Sequence, residues 1–161
     1  MNKIALLPLS AFLLYSVTAC ASQNIEPPSL KKGLLGSWDC SLSIEDNDLK
    51  MTIESEDTYV RNGRSNSFGS LKAKFAANLP EIEYSVAGTA TWEILDGFLV
   101  STLTDIKIVN LSHPEFDEIF NLQEMFPTNV SDSSEIIELT KTKLTLKSES
   151  DGHIYMCGRQ V

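Results

Sequence analysis

The chain has 161 residues, with 13 lysines and arginines against 22 aspartates and glutamates, so its formal net charge at pH 7 is −9. This length suits one domain with one hydrophobic core. The acidic balance argues against nucleic acid and anionic lipid surfaces as partners, because both repel a negative chain at long range. A cationic partner fits this charge, and so does a need for solubility beside a negatively charged membrane.

The first 20 residues have the three parts of an export signal. Lys3 gives a positive end, residues 4–17 form an apolar stretch, and small residues follow. The apolar stretch is about 14 residues long, whereas a helix that spans the hydrocarbon core needs roughly 20. We therefore predict that residues 1–19 are a cleaved signal peptide and not a permanent membrane span.

The end of this segment, Val17-Thr18-Ala19-Cys20, resembles a bacterial lipobox. The resemblance implies cleavage before Cys20 and attachment of acyl chains to its thiol, which would hold the protein on a membrane. Ala21 follows where an aspartate would favour the inner membrane, so the expected location is the outer membrane, on its periplasmic face or at the cell surface. The alternative is an ordinary secretory signal that is cut after Ala21.

The next segment is polar and contains the pair Pro27-Pro28. It shows no apolar periodicity, so we predict a lipidated tether over residues 20–33. The composition changes at Leu34. Residues 34–161 are predicted to form the folded domain.

Most of this domain alternates apolar and polar residues with the period of two that strands with one buried face require. Tight turns are expected at Asn62-Gly63, Asp96-Gly97 and Asp151-Gly152. A bend at Gly88 makes one or two strands of residues 82–94. The predicted strands lie near residues 38–44, 49–53, 58–61, 71–75, 82–94, 99–109, 136–140, 144–148 and 154–160.

One segment of the second half has helical spacing instead. Its apolar residues include Phe116, Ile119 and Phe120, with Pro114 at the start and Pro127 at the end. We predict one short amphipathic α-helix of about three turns here. Such an insertion between strands would cover an open end or edge of a barrel.

The two later cysteines predict which strands are neighbours. If the first and last strands are antiparallel partners, pairing Cys40 with Cys157 also places Trp38 opposite Arg159 on the same face. A disulfide between these cysteines is sterically plausible in an oxidising compartment. The alternative is two unpaired buried thiols.

Gly36-Ser37-Trp38 at the head of the first strand, with Arg159 near the chain end, resembles the signature of the lipocalin or calycin family. In that family the tryptophan packs at the base of the barrel and the arginine lies across it, so the resemblance gives Gly36, Trp38 and Arg159 structural roles. It implies a mainly β fold, an antiparallel lipocalin-like barrel of about eight to ten strands. Closure of the barrel would remove the exposed edges of the sheet.

The sequence contains no recognisable catalytic motif. His113 precedes a proline and His153 follows a glycine turn, so neither has the spacing of a metal pair or an obvious carboxylate partner. We therefore expect no enzymatic activity, no metal and no cofactor.

Two functional hypotheses remain. The first is a barrel that binds a small apolar or amphiphilic molecule, with Met51, Ile53, Tyr84 and Trp92 as candidate wall residues; the same side chains would otherwise simply fill the interior. The second is a protein-binding lipoprotein, such as an inhibitor or immunity factor against a cationic enzyme or toxin of the cell envelope.

Overall fold

The computed structural model describes residues 27–46, 49–119 and 122–160. The predicted signal peptide, the lipidation site Cys20 and the first part of the predicted tether lie outside the described residues. Among those that are described, no helix is both long and apolar enough to cross a membrane.

The fold is mainly β, as predicted. A helix, α1 (Pro27–Leu34), precedes eight antiparallel strands that form one closed barrel in chain order. The strands are β1 (Gly36–Asp46), β2 (Leu49–Val60), β3 (Arg64–Lys74), β4 (Ile82–Leu95), β5 (Phe98–Asn110), β6 (Ser131–Leu139), β7 (Lys143–Ser148) and β8 (Ile154–Arg159).

One predicted strand is not separate, and for residues 82–94 the single-strand alternative is confirmed. Residues 58–60 are the end of β2, not a separate strand, and β4 runs through Gly88 as one strand of 14 residues. The register between β4 and β5 shifts at Thr89/Ala90. The strand is therefore continuous through Gly88, and the irregularity in its pairing with β5 follows directly after it.

The single helix of three turns predicted between β5 and β6 is wrong in its length. The structure has a short 3-10 helix at Pro114–Phe116 and, farther along, one turn of α-helix, α2 (Leu122–Met125). The Asn110 side chain bonds to the backbone of Ser112 and His113 and to the Asp117 carboxylate. These bonds hold the start of the segment in a tight turn, which competes with a regular helix.

The predicted tether is wrong for residues 27–33, because these residues belong to α1. Leu30 and Leu34 are one helical turn apart and are only 5% and 0% exposed. They pack at the end of the barrel where β1 begins, which we call the closed end. Two leucines in a polar segment are too few to give a periodic signal, yet they suffice to dock a short helix.

The strand neighbours deduced from the cysteines are confirmed. β1 pairs with β8 in the register that sets Trp38 opposite Arg159 and Cys40 opposite Cys157, and the two cysteines form a disulfide. The ladder between β1 and β8 spans only residues 38–41 and 156–159. A covalent bond therefore reinforces a short seam.

Arg159 joins several parts of the closed end. Its guanidinium lies 4.0 Å from the centre of the Trp38 ring and donates hydrogen bonds to the backbone carbonyls of Gly33, Leu35 and Lys141. Gly36 has φ +112°, and a Cβ there would lie 2.9 Å from a guanidinium nitrogen. Glycine is thus required both for the backbone turn and for the space that Arg159 occupies.

We expect replacement of both cysteines, Cys40→Ala with Cys157→Ala, to lower the free energy of unfolding by roughly 4 to 5 kcal/mol in the chain-entropy model. The reason is the sequence separation of 117 residues, a long loop that the disulfide closes in the unfolded chain. Guanidinium denaturation of the variant and of the oxidised wild type would measure the difference. Equal midpoints would contradict the prediction.

Candidate ligand-binding site

The barrel interior contains two separate hydrophobic clusters. The lower cluster, at the closed end, packs around Trp38 and Trp92; its buried members are Leu34, Trp38, Cys40, Tyr59, Trp92, Leu99, Leu144, Leu146 and Cys157. The upper cluster packs at the opposite end; its buried members are Met51, Leu71, Ala73, Ile82, Tyr84 and Leu122. The side chains at the level between the two clusters belong to neither of them, so they need not be apolar.

At this level lies a partly enclosed cavity of about 200 Å³. One part of its wall is apolar and comprises Ile53, Leu71, Val86 and Phe126. Another part is polar and comprises Ser55, Asp57, Ser67 and Tyr155, and the lining is completed by Glu54, Gly69 and Ser70. Mixed walls of this kind, with few polar groups among apolar ones, are typical of small-molecule sites.

Gly69 lets the wall of the cavity form. It lies opposite Ser55 in the register of β2 and β3, and a Cβ on Gly69 would be only 2.0 Å from the carbonyl oxygen of Glu54. The two backbones can approach this closely only because residue 69 has no side chain.

The barrel wall has a gap beside β5 because the strands have unequal lengths. β5 has 13 residues but pairs with β6 only over Phe98–Thr102, so the rest of β5 has no neighbouring strand on that side. Residues 111–130, which we call the covering segment, connect β5 to β6 across this gap. Their Phe116 and Phe126 pack against the upper cluster.

Gln123 attaches the covering segment to the unpaired part of β5. Its side-chain oxygen accepts a hydrogen bond from the Ile108 amide at 3.2 Å, and its nitrogen donates to the Ile106 carbonyl at 3.0 Å. One carboxamide thus makes the two bonds that a neighbouring strand would make. This attachment positions Phe126, three residues farther along, over the cavity.

Asp57 is the acidic side chain of the cavity's polar wall. Its side chain points into the barrel, like those of Ser55 and Tyr59 on the same strand, and it is partly buried. Burial raises the pKa of its carboxyl group, while hydrogen bonds from Ser67 and Ser55 act in the opposite direction. The Ser67 hydroxyl donates to the carboxylate at 2.5 Å.

Tyr155 lines the same cavity from β8. Burial raises the pKa of its phenol, and negative charge raises that pKa further. The charge comes from three carboxylates, those of Asp151, Asp132 and Asp57. The cavity and its surroundings are therefore negative in potential.

Of the four predicted wall residues, Ile53 lines the cavity and the other three do not. Met51 and Tyr84 are buried in the upper cluster, and Trp92 is buried in the lower one, where its indole donates to the Arg64 carbonyl. Sequence reasoning missed Ser55, Asp57, Ser67 and Tyr155. A signal was present, because Asp57 stands at an inward position of an alternating strand, where an apolar residue is the usual choice.

The expectation that neither histidine has a carboxylate partner is wrong, because each lies next to an acid two residues away in the sequence. His113 is 3.0 Å from Glu115, and His153 is 2.9 Å from Asp151. No group of three histidine, cysteine or acidic side chains in the part of the chain that the structure describes is arranged to hold a metal ion.

A second concave surface lies outside the barrel. It is an open groove of about 660 Å³ that crosses the outer faces of β1–β4. Its acidic residues are Asp39, Glu54 and Glu56, and its apolar residues Phe68 and Leu111 are 65% and 59% exposed. The groove is larger than the interior cavity, but it is shallow and open to solvent along its length.

No protein-family model matches this chain, and no curated protein is significantly similar to it.

We expect Asp57→Asn to stabilise the protein at neutral pH. The raised pKa means that the folded state holds the Asp57 proton more tightly than the unfolded state, so stability falls as the pH rises from the ordinary value of 3.8 through the folded value. Asparagine removes this loss. Its advantage should disappear below pH 3.8, where the aspartate is protonated in both states.

Thermal unfolding of the wild type, Asp57→Asn and Glu56→Gln between pH 3 and pH 8 would measure this effect. Glu56 is exposed on the outer side of the same strand, so its variant removes one charge without altering the cavity. A midpoint difference between wild type and Asp57→Asn that does not change with pH would contradict the prediction.

Proposed function

We propose that this protein is an extracytoplasmic lipoprotein, anchored to the outer membrane of a bacterium through Cys20, whose barrel binds one small amphiphilic molecule. The observation that carries the binding proposal is the cavity between the two hydrophobic clusters, with an apolar wall on one side and Asp57, Ser67 and Tyr155 on the other. Both clusters are already filled by their own side chains. The intermediate level is where a small ligand fits.

The size of the cavity limits the ligand. About 200 Å³ accommodates a molecule of roughly ten heavy atoms, well below the volume of typical drug-sized sites. A long acyl chain does not fit without movement of the covering segment. We therefore assign the site to a compact ligand with one apolar part and one polar group.

Filling the cavity should abolish binding. In Val86→Phe the added ring would enter the cavity from β4, whereas in Val109→Phe it would lie on the outer face of β5, where Val109 is exposed. We expect native mass spectrometry of the full chain, purified from its own host in lipid nanodiscs, to show a retained small molecule with wild type and Val109→Phe but not with Val86→Phe. If all three proteins show only the mass of their own polypeptide and anchor, with no bound molecule, the proposal is overturned.

The anchor is tested separately. We expect Cys20→Ala to abolish metabolic labelling with palmitate, because Cys20 is the residue to which we propose that the acyl chains are attached. The same variant should move from the membrane fraction to the soluble fraction of the envelope. Unchanged labelling would remove the anchor from the proposal and leave the cavity unaffected.

A second candidate function is supported by the outer groove. Its exposed Phe68 and Leu111 beside Asp39, Glu54 and Glu56 would suit a protein partner with a basic, partly apolar surface. This candidate corresponds to an inhibitor or immunity factor. It predicts that Phe68→Ser weakens capture of a cationic envelope protein and leaves the occupancy of the interior cavity unchanged.

A further inference from the structure

We propose that the ligand of the interior cavity is a cationic amphiphile, an organic ammonium ion whose charged nitrogen pairs with Asp57. This inference rests on the proposed binding function and specifies its ligand class. It follows from the presence of the Asp57 carboxylate in the cavity wall and from the absence of lysine, arginine and histidine among the lining residues.

Asp57 has hydroxyl partners but no cationic partner. Within the described ranges, no lysine, arginine or histidine lies within ion-pair distance of its carboxylate, and the nearest donors are Ser67 and Ser55. A partly buried carboxylate without a counter-ion costs free energy. An ammonium group in the cavity would supply the missing charge.

The other cavity walls suit the remaining parts of such a ligand. Leu71, Val86 and Phe126 form an apolar surface for an alkyl or aryl group. The aromatic rings of Phe126 and Tyr155 also border the cavity, and aromatic faces attract ammonium ions. The apolar group and the charged nitrogen can therefore be accommodated side by side.

The same charges argue against other ligand classes. A carboxylate or phosphate would meet Asp57, with no lysine, arginine or histidine among the lining residues to offset the repulsion. A neutral ligand would leave the Asp57 carboxylate without a counter-ion. Of the three charge classes, only the cation improves the electrostatics of the site.

The test compares two probes of similar shape, benzylammonium and benzyl alcohol. Their affinities for the full chain in lipid nanodiscs would be measured by titration calorimetry, with empty nanodiscs as the blank. We expect benzylammonium to bind roughly tenfold or more tightly than benzyl alcohol at pH 7, as a charge-assisted hydrogen bond requires. Asp57→Asn should remove this difference, and a matched variant on the outer face of β4, Glu93→Gln, should retain it.

The pH dependence gives a second readout. Two titratable side chains border the cavity, Asp57 from β2 and Tyr155 from β8. The carboxylate of Glu54 lies on the outer face of β2. β3, β4 and the covering segment contribute Ser67, Val86 and Phe126, which do not titrate. Binding of benzylammonium should weaken as the pH falls and Asp57 takes up a proton. Binding of benzyl alcohol should not follow this change.

The outcomes separate this inference from the proposed function. If both probes bind with equal affinity, or if Asp57→Asn still prefers the cation, the cation assignment is overturned while ligand binding stands. If neither probe binds and no native ligand is retained, the proposed function fails together with the inference. Because Asp57→Asn is expected to stabilise the fold, loss of cation binding in this variant will not reflect unfolding.

Discussion

The seam between β1 and β8 is the contact on which the rest of the structure depends. Only four residue pairs join these strands, and without them the sheet would have two free edges and no enclosed interior. The seam is strengthened on one face by the Cys40–Cys157 disulfide and by the stacking of Arg159 on Trp38. Arg159 also bonds to α1 and to the turn after β6, so it ties α1, β8 and this turn together at the closed end of the barrel.

Because the closed end contributes many stabilising contacts, the middle of the barrel can contain polar side chains without loss of the fold. The lower cluster packs two tryptophans and the disulfide, and Trp92 meets Tyr59 edge to face at 5.7 Å. One level higher, the inward positions hold serines, a glycine and Asp57. Such a level contributes little apolar burial and includes a charge that opposes folding. Sites for ligands are often less stable than the framework that carries them.

The sequence predicted the seam well, because two independent pairs fix the same register: one from the cysteines and one from Trp38 with Arg159. The tight turns at Asn62-Gly63 and Asp96-Gly97 were similarly clear, since these dipeptides favour positive φ angles.

The residues of the cavity were harder to predict than the fold. Residues Ser55, Ser67 and Tyr155 come from three strands, and only the closed barrel shows that they border one cavity. The alternation that predicts strands treats large inward residues as wall candidates, but Met51, Tyr84 and Trp92 fill the two clusters instead.

The carboxamide of Gln123 has a consequence beyond positioning Phe126. The upper part of β5 presents backbone donors and acceptors that no strand satisfies, and such a row can recruit a strand from another molecule and start intermolecular aggregation. Gln123 occupies two of these groups, and the Asn129 amide occupies a third by bonding to the Leu103 carbonyl. The covering segment thereby protects the protein from self-association along this unpaired part of β5.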